Sequence, residues 1–296
     1  METSVFSTTM NKRAKLFSIV FAAVVLACTG LAAPVGHAQA VSASSPDRIA
    51  VKLDDPSRPA LVKASLVNGG ITVKAYAGQE VVVEARSRGE EAQNEKPAPN
   101  GMHRLDVSRT GLTVEEENNE VSVSTDSFMR PIDLTISVPV HTSLKLSAVN
   151  DGDIIVNGVD GEIDVNDVNG AVTLNHVSGS CVAHALNGRI LATFERVSQK
   201  PMAFSSLNGD IDVTFPADLR ANLNIRSDRG DIFSDFDVQL QAAAPKQVTE
   251  GSEGHSGKYR VKIDRTVHGT INGGGPEIQF TNFQGSVYIR KAGAAH

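Results

Sequence analysis

Between Gly152 and Ile190 the chain repeats one pattern of apolar and polar positions at a fixed step, with glycine at 152, 161, 170, 179 and 188, nine residues apart. Around each glycine runs an apolar residue, then Asn, Asp or Ser, the glycine, any residue, an apolar residue, any residue, and an apolar residue. Val168-Asn169-Gly170-Ala171-Val172-Thr173-Leu174 and Leu186-Asn187-Gly188-Arg189-Ile190-Leu191-Ala192 are two of the copies. A later copy is Leu207-Asn208-Gly209-Asp210-Ile211-Asp212-Val213, and Asp228-Arg229-Gly230-Asp231-Ile232 is a weaker one; the step there lengthens to 21. Apolar residues two and four places after a glycine alternate with polar ones, which predicts a short strand with one buried face. The Asn-Gly or Asp-Gly before it supplies the left-handed backbone of a tight turn. The apolar residue before the turn is expected to pack inward from the corner.

Turn signals that recur in one direction do not make hairpins. They stack as parallel rungs, each paired with equivalents above and below. Two units of nine residues complete a coil of 18, and the steps of 21 predict a wider corner or a change in the number of sides. The fold class that follows is all-β: a parallel β-solenoid, either a right-handed β-helix or a β-roll, with short Asn/Asp-Gly turns and no long helix in the mature chain. Alternating strands extend to both sides, in Ile71-Thr72-Val73, Val81-Val82-Val83, Leu105 to Val107, Leu112 to Val114, Val121 to Val123 and Leu134 to Val138. Pro139 stops that last ladder and Leu144-Lys145-Leu146 resumes it. The solenoid is expected over residues 49–291, with exposed loops at about 89–102 and 239–257, one helical turn at most at Gln241 to Ala244, and a tail at 292–296. Open coils expose unpaired edges, and residues 49–67 and 285–291 are the expected caps.

Three stretches in order resemble a known family. They are Ser137-Val138-Pro139 leading into Leu144-Lys145-Leu146, the glycine units from Gly152 to Val213, and Gly269 to Phe280 followed by Gly285-Ser286-Val287-Tyr288-Ile289. The chain is similar, over roughly residues 49–291, to bacterial exported β-strand-repeat domains of unknown function labelled "putative adhesin". The resemblance implies a β-helical solenoid at the cell envelope. It brings no catalytic motif, and its adhesin label rests on fold analogy. The chain departs from the family pattern at Cys181 and Ala183, where larger apolar residues are usual, and at Asp228-Arg229.

The N-terminus carries an export signal. Lys12, Arg13 and Lys15 precede an apolar stretch from Leu16 to Leu31, which closes near the small-x-small sequence Ala38-Gln39-Ala40. The apolar run falls short of the ~20 residues of a membrane span. A signal peptide over 1–40, a linker over 41–48 and a periplasmic or extracellular product follow. Val25-Leu26-Ala27-Cys28 also resembles a lipoprotein cleavage box, so lipidation at Cys28 stays open beside the soluble product. Cleavage at 40 leaves 256 of the 296 residues and a single cysteine, Cys181, which excludes an intrachain disulfide. A net charge of −6 with scattered Lys and Arg argues against nucleic acid as a partner.

Candidate chemistry is sparse, and no cofactor is called for. Of eight histidines, His141, His176, His184 and His268 stand isolated in predicted strands or turns, without metal-ligand spacing. His176 and His184 fall on neighbouring units. Gly273-Gly274-Gly275 precedes a strand rather than a helix, so it is no phosphate loop. Asp151, Asp153, Asp160, Glu162, Asp164 and Asp167 form an acidic cluster that stacked rungs can turn into a Ca²⁺ site; a solvated acidic face is the plainer expectation. Two of them at glycosidase spacing give the alternative of a glycan-active enzyme. Aromatic content of 5 % and the lack of Trp argue against sugar platforms. Cys181 falls at an inward position, as a small core residue. Asn169, Asn187 and Asn208 are placed to form a stacked ladder. The leading functional expectation is a non-catalytic envelope scaffold that binds another envelope protein or a polymer. An accessory or sensor domain in envelope stress is a further alternative.

Overall fold

The computed structural model describes residues 46–88, 110–126, 130–241 and 266–293, all within one compact unit, Ser42–His296. The expected signal peptide, Cys28, His103, His255, the strand expected at Leu105 to Val107 and the loop expected at 89–102 lie outside the described residues. So does most of the loop at 239–257, but Gln239 to Gln241 is strand.

The described chain is all strand, with no helix. The strands are β1 (Asp47–Lys52), β2 (Ala60–Asn68), β3 (Ile71–Tyr76), β4 (Glu80–Ser87), β5 (Leu112–Glu117), β6 (Glu120–Thr125), β7 (Ile132–Pro139), β8 (Thr142–Asn150), β9 (Ile154–Asn157) and β10 (Asp160–Asp167). They continue as β11 (Val172–Ala185), β12 (Ile190–Val197), β13 (Met202–Asn208), β14 (Ile211–Phe215), β15 (Ala221–Ser227), β16 (Ile232–Ser234), β17 (Val238–Gln241), β18 (Thr266–Ile271), β19 (Glu277–Gln284) and β20 (Val287–Lys291).

Pairing sorts them into two ladders. One runs β6-β2-β8-β10, then the second half of β11, then β13-β19-β15. The other runs β7-β3-β9, then the first half of β11, then β12-β14-β20-β16. Each coil contributes one strand to each ladder. Ile154 pairs with Val172 and Val172 with Ile190, a register of 18; Ile190 pairs with Ile211, a register of 21. The three extra residues sit in the corner after Phe194, before β13 begins.

The inward residues form continuous rows. Val123, Ala64, Leu146, Val165, Ala183, Phe204, Phe280 and Ile225 are successive partners in the first ladder. Leu134, Ile71, Ile154, Val172, Ile190, Ile211 and Val287 do the same in the second. Nearly all are fully buried, because period-2 alternation directs them into the space between the ladders. Phe194 stacks on Phe215 at 5.5 Å and Phe204 on Phe280 at 5.3 Å, filling the wider coils.

Sequence order and spatial order differ at both ends. The coil β2–β3 lies between β6–β7 and β8–β9. The last coil of the chain, β19–β20, lies between β13–β14 and β15–β16. The 21-residue step from Gly209 to Gly230 is therefore not one coil: Gly230 lies against Gly285, and Gly285 against Gly209. To reach that place the chain leaves β18, antiparallel to β15 on one side, and crosses to β19, parallel to it on the other. Gly273 and Gly274 make this crossing with φ of 81° and 86°.

The caps are only partly where the sequence pattern put them: residues 49–52, in β1, do belong to one. Residues 60–67 and 285–291 belong to inner coils. The ends are closed by antiparallel strands: β5 on β6 and β1 on β4 on β7 at one end, β17 on β18 on β15 at the other. Antiparallel strands break the coil path, so the next coil has no parallel edge to extend.

Gly179 and Gly285 take the expected positive φ, 111° and 131°, but other corner glycines have a different reason. Gly170, Gly188 and Gly209 do not take positive φ. A Cβ at Gly188 would lie 1.9 Å from the Gly170 carbonyl oxygen, and one at Gly209 would lie 2.3 Å from that of Gly188. Close stacking of corners excludes any side chain there. Beside the glycines, Asn169 donates to Asn150 at 2.7 Å, Asn187 to Asn169 at 2.8 Å, and Asn208 to Asn187 at 2.7 Å. A second amide pair, Asn175 to Asn157 at 2.9 Å, lies at the opposite corner.

Candidate functional site

The six acidic residues are spread rather than gathered. Asp160 and Asp167 stand at the two ends of β10, seven residues of extended chain apart, which at about 3.3 Å per residue is roughly 23 Å. Asp160 pairs with Arg196 at 2.8 Å and His141 at 3.3 Å, and Glu162 pairs with Lys200. Asp164 accepts from the Asn166 side chain at 3.3 Å, and Asp153 from the Ala171 N–H at 2.8 Å. The carbonyl of Asp151 accepts from Arg88. Asp167 is buried and accepts from the Gly170 N–H at 2.8 Å. Among the described residues no three His, Cys, Asp or Glu side chains converge as metal ligands would.

The histidines are likewise apart in their contacts. His176 Nδ1 lies 3.3 Å from Glu195, while His184 bonds Ser205. Cys181 is buried in the first ladder between Ile163 and the coil above, and burial pushes its thiol pKa up, so it is a poor nucleophile.

Asp167 is the one strongly displaced carboxyl. Its pKa is raised to about 6, first by burial and then by the nearby charge of Asp153, against the pull of the Gly170 N–H. Its neighbours in the inward row are Ala148 and Ala185, both too small to reach it with a polar atom, and its Oδ2 has no hydrogen-bond partner among the described residues. That row continues through Ser206, Asn282 and Ser227, so the core of the first ladder turns polar at this edge.

Above this polar row lies a groove of about 520 Å³, within the usual size range of a ligand site. It crosses the strands from β10 to β15. One wall is an outward row in strict register: Asn166, His184, Ser205, Thr281 and Arg226. The opposite lip is apolar: Leu186, Leu207 and Phe283, which are 44 %, 40 % and 38 % exposed. Leu186 and Leu207 are residues before the corner, expected inside, and the structure puts them outside. The expectation holds at the other corner, where Val159 and Val177 are buried. Parity explains the split. In β13, Met202, Phe204 and Ser206 face in, so Leu207 faces out; in β11, Cys181, Ala183 and Ala185 face in, so Leu186 faces out. Counting residues from the buried strand positions would have found this lip; the repeat motif alone does not.

At the β15 end the groove carries charged side chains beside Phe283, with Arg226 and Asp228 both in its lining. Arg226 lines it, with Nε bonded to Asp228 at 3.3 Å, and the Arg229 guanidinium lies 5.2 Å from the Phe283 ring centroid. A second, smaller surface feature lies on the other ladder. Phe233 stacks on Tyr288 at 5.2 Å, and Arg290 lies over Tyr288 while bonding Asp212 at 2.7 Å.

Comparison with known proteins gives one family and two structures. The family model described as Toastrack DUF4097 matches residues 63–272. A crystal structure of a "putative cell adhesion protein" from Clostridium sporogenes ATCC 15579 is similar at a TM-score of 0.43 and 9 % identity, covering 83 % of this chain and 100 % of that one. A "putative adhesin" from Bacteroides fragilis NCTC 9343 is similar at a TM-score of 0.34 and 13 % identity, covering 84 % and 98 %. No curated protein matches the chain.

Proposed function

We propose, given that the chain belongs to the Toastrack DUF4097 family, that it is an exported, non-catalytic scaffold whose coil stack offers a binding groove to another cell-envelope protein or polymer. The observation that carries this reading is the exposed apolar lip of Leu186, Leu207 and Phe283. Apolar residues repeated at one position on successive coils, in solvent, contribute nothing to the core; contiguous exposed apolar surface of this kind marks interaction sites. The ordered row of Asn166, His184, Ser205 and Thr281 beside it supplies polar partners at the strand spacing of about 4.8 Å. The acidic residues engage separate cations, amides and backbone groups, which supports structural roles for the cluster and not Ca²⁺ or glycan chemistry.

The finer parts of the reading are a solenoid of β-roll or β-helix type with Asn-Gly corners over 49–291, and a signal peptide cleaved after Ala40. The protein is then released into the periplasm or outside the cell. N-terminal sequencing of the exported product separates this from lipidation at Cys28: a start at Val41 fits the soluble form, and a blocked, lipid-bearing Cys28 overturns it.

Capture from envelope extracts tests the function. The protein is expected to retain one component at near-stoichiometric amounts, and a variant carrying Leu186→Asp, Leu207→Asp and Phe283→Asp is expected to lose it while keeping its unfolding midpoint. Extracts from several growth conditions that yield nothing specific, or a component held equally by the variant, would overturn the reading.

A further inference from the structure

We infer that the groove between β10 and β15 takes the C-terminal end of an apolar peptide, with its side chains on Leu186, Leu207 and Phe283 and its carboxylate at Arg226. The inference deepens the scaffold reading and rests on it.

Three features of the groove point this way. The lip offers apolar surface on three successive coils, where a ligand's apolar side chains are removed from water. The wall offers hydroxyl, amide and imidazole groups from Asn166, His184, Ser205 and Thr281, which suit the N–H and C=O groups of an extended backbone. The charges are polarised along the groove. Asp164 and Asp167 belong to β10 at one end, whereas two cations, Arg226 and Arg229, stand at the other with one carboxylate, Asp228, four strand spacings or about 19 Å away. Asp228, which also lines this end, meets Arg226 at Nε at 3.3 Å, and among the described residues no bond is made by the two terminal nitrogens of the guanidinium. Those two nitrogens form the planar fork that matches a carboxylate. A carboxylate therefore belongs at the β15 end, and the peptide runs from there toward β10. A neutral sugar chain would use the wall but leave this polarity idle.

Fluorescence polarisation of the exported protein with a dye-labelled Gly-Ala-Leu-Val-Leu peptide tests the inference, using the free carboxylate and the C-terminal amide side by side. The carboxylate form is expected to bind about tenfold more tightly than the amide. Arg226→Gln is expected to bring the carboxylate form down to the amide's affinity and to leave the amide unchanged. Arg226→Lys keeps the charge without the fork and is expected to fall between them. Leu207→Ser is expected to weaken both peptides alike. Equal affinity for carboxylate and amide overturns the inference, as does the lack of saturation by either peptide up to about 1 mM. If the peptides fail while capture from envelope extract still depends on the apolar lip, the scaffold reading stands and the ligand class assigned here falls.

Discussion

Gly285 lies against Gly209, so close that a Cβ on Gly285 would sit 2.5 Å from the Gly209 carbonyl oxygen, although β19 and β20 follow β13 and β14 by more than seventy residues of chain. The corner stack is continuous in space where it is broken in sequence. Each member tolerates only hydrogen. Gly188→Ala, with its methyl 1.9 Å from the Gly170 oxygen, must force two coils apart and is expected to cost about 2–4 kcal/mol in urea unfolding. Gly78→Ala is the control: only the Tyr76 ring is in its way, and that side chain can turn. A loss at Gly188 no larger than at Gly78 would show that the corners are not tightly stacked.

The intercalated last coil is held by its core face. Phe280 is fully buried and stacks on Phe204 with ring planes 17° apart. Phe280→Ala removes that ring from between β13 and β15 and is expected to cost about 3–5 kcal/mol. Because, among the described strands, β15–β16 pairs with the coil stack through β19–β20, the variant is also expected to lose hydrogen-exchange protection at β15 more than at β10. Uniform loss across both strands would contradict the spatial order of coils.

Much of this was readable from the chain. The nine-residue glycine step gave both corners and the register of 18, since Ile154, Val172 and Ile190 are spaced in sequence as they are stacked in space. The amide ladder at Asn169, Asn187 and Asn208 was equally visible. Three things were not. The insertion of β2–β3 and β19–β20 one coil in from each end depends on which edges pair, and every rung offers nearly the same edge. The caps beyond β1 were missed for the same reason. The exposed lip was hidden because Leu186 and Leu207 match the motif as well as buried Val177 does; only alternation counted from the strand interior separates them.

Cys181 tests the packing of the inner row without any substitution. It is 1 % exposed and its thiolate is disfavoured by burial. A thiol reagent is expected to leave it unmodified in the folded protein and to label it at the rate of global unfolding, with mass spectrometry assigning the label to Cys181. Rapid labelling under native conditions would mean that the first ladder opens at β11.

The last prediction concerns pH and falls on Asp167. Its carboxyl pKa stands at about 6 in the folded chain against an ordinary 3.8, so between those values the folded state binds more protons than the unfolded one. Stability from this residue is therefore complete below about pH 4 and is lost as pH rises through about 6. The difference corresponds to at most about 3 kcal/mol at pH 7. Asp167→Asn keeps an oxygen for the Gly170 N–H and removes the buried charge. It is expected to raise the unfolding free energy at pH 7 and to flatten its dependence between pH 4 and 7, relative to the unaltered protein. Asp153 contributes to the displacement, so Asp153→Asn is expected to shift the midpoint of that dependence downward without abolishing it. Equilibrium unfolding at several pH values measures both. If Asp167→Asn were less stable than the unaltered chain at pH 7, the carboxylate would have to be satisfied there, and its unpartnered Oδ2 would need a donor within the polar row.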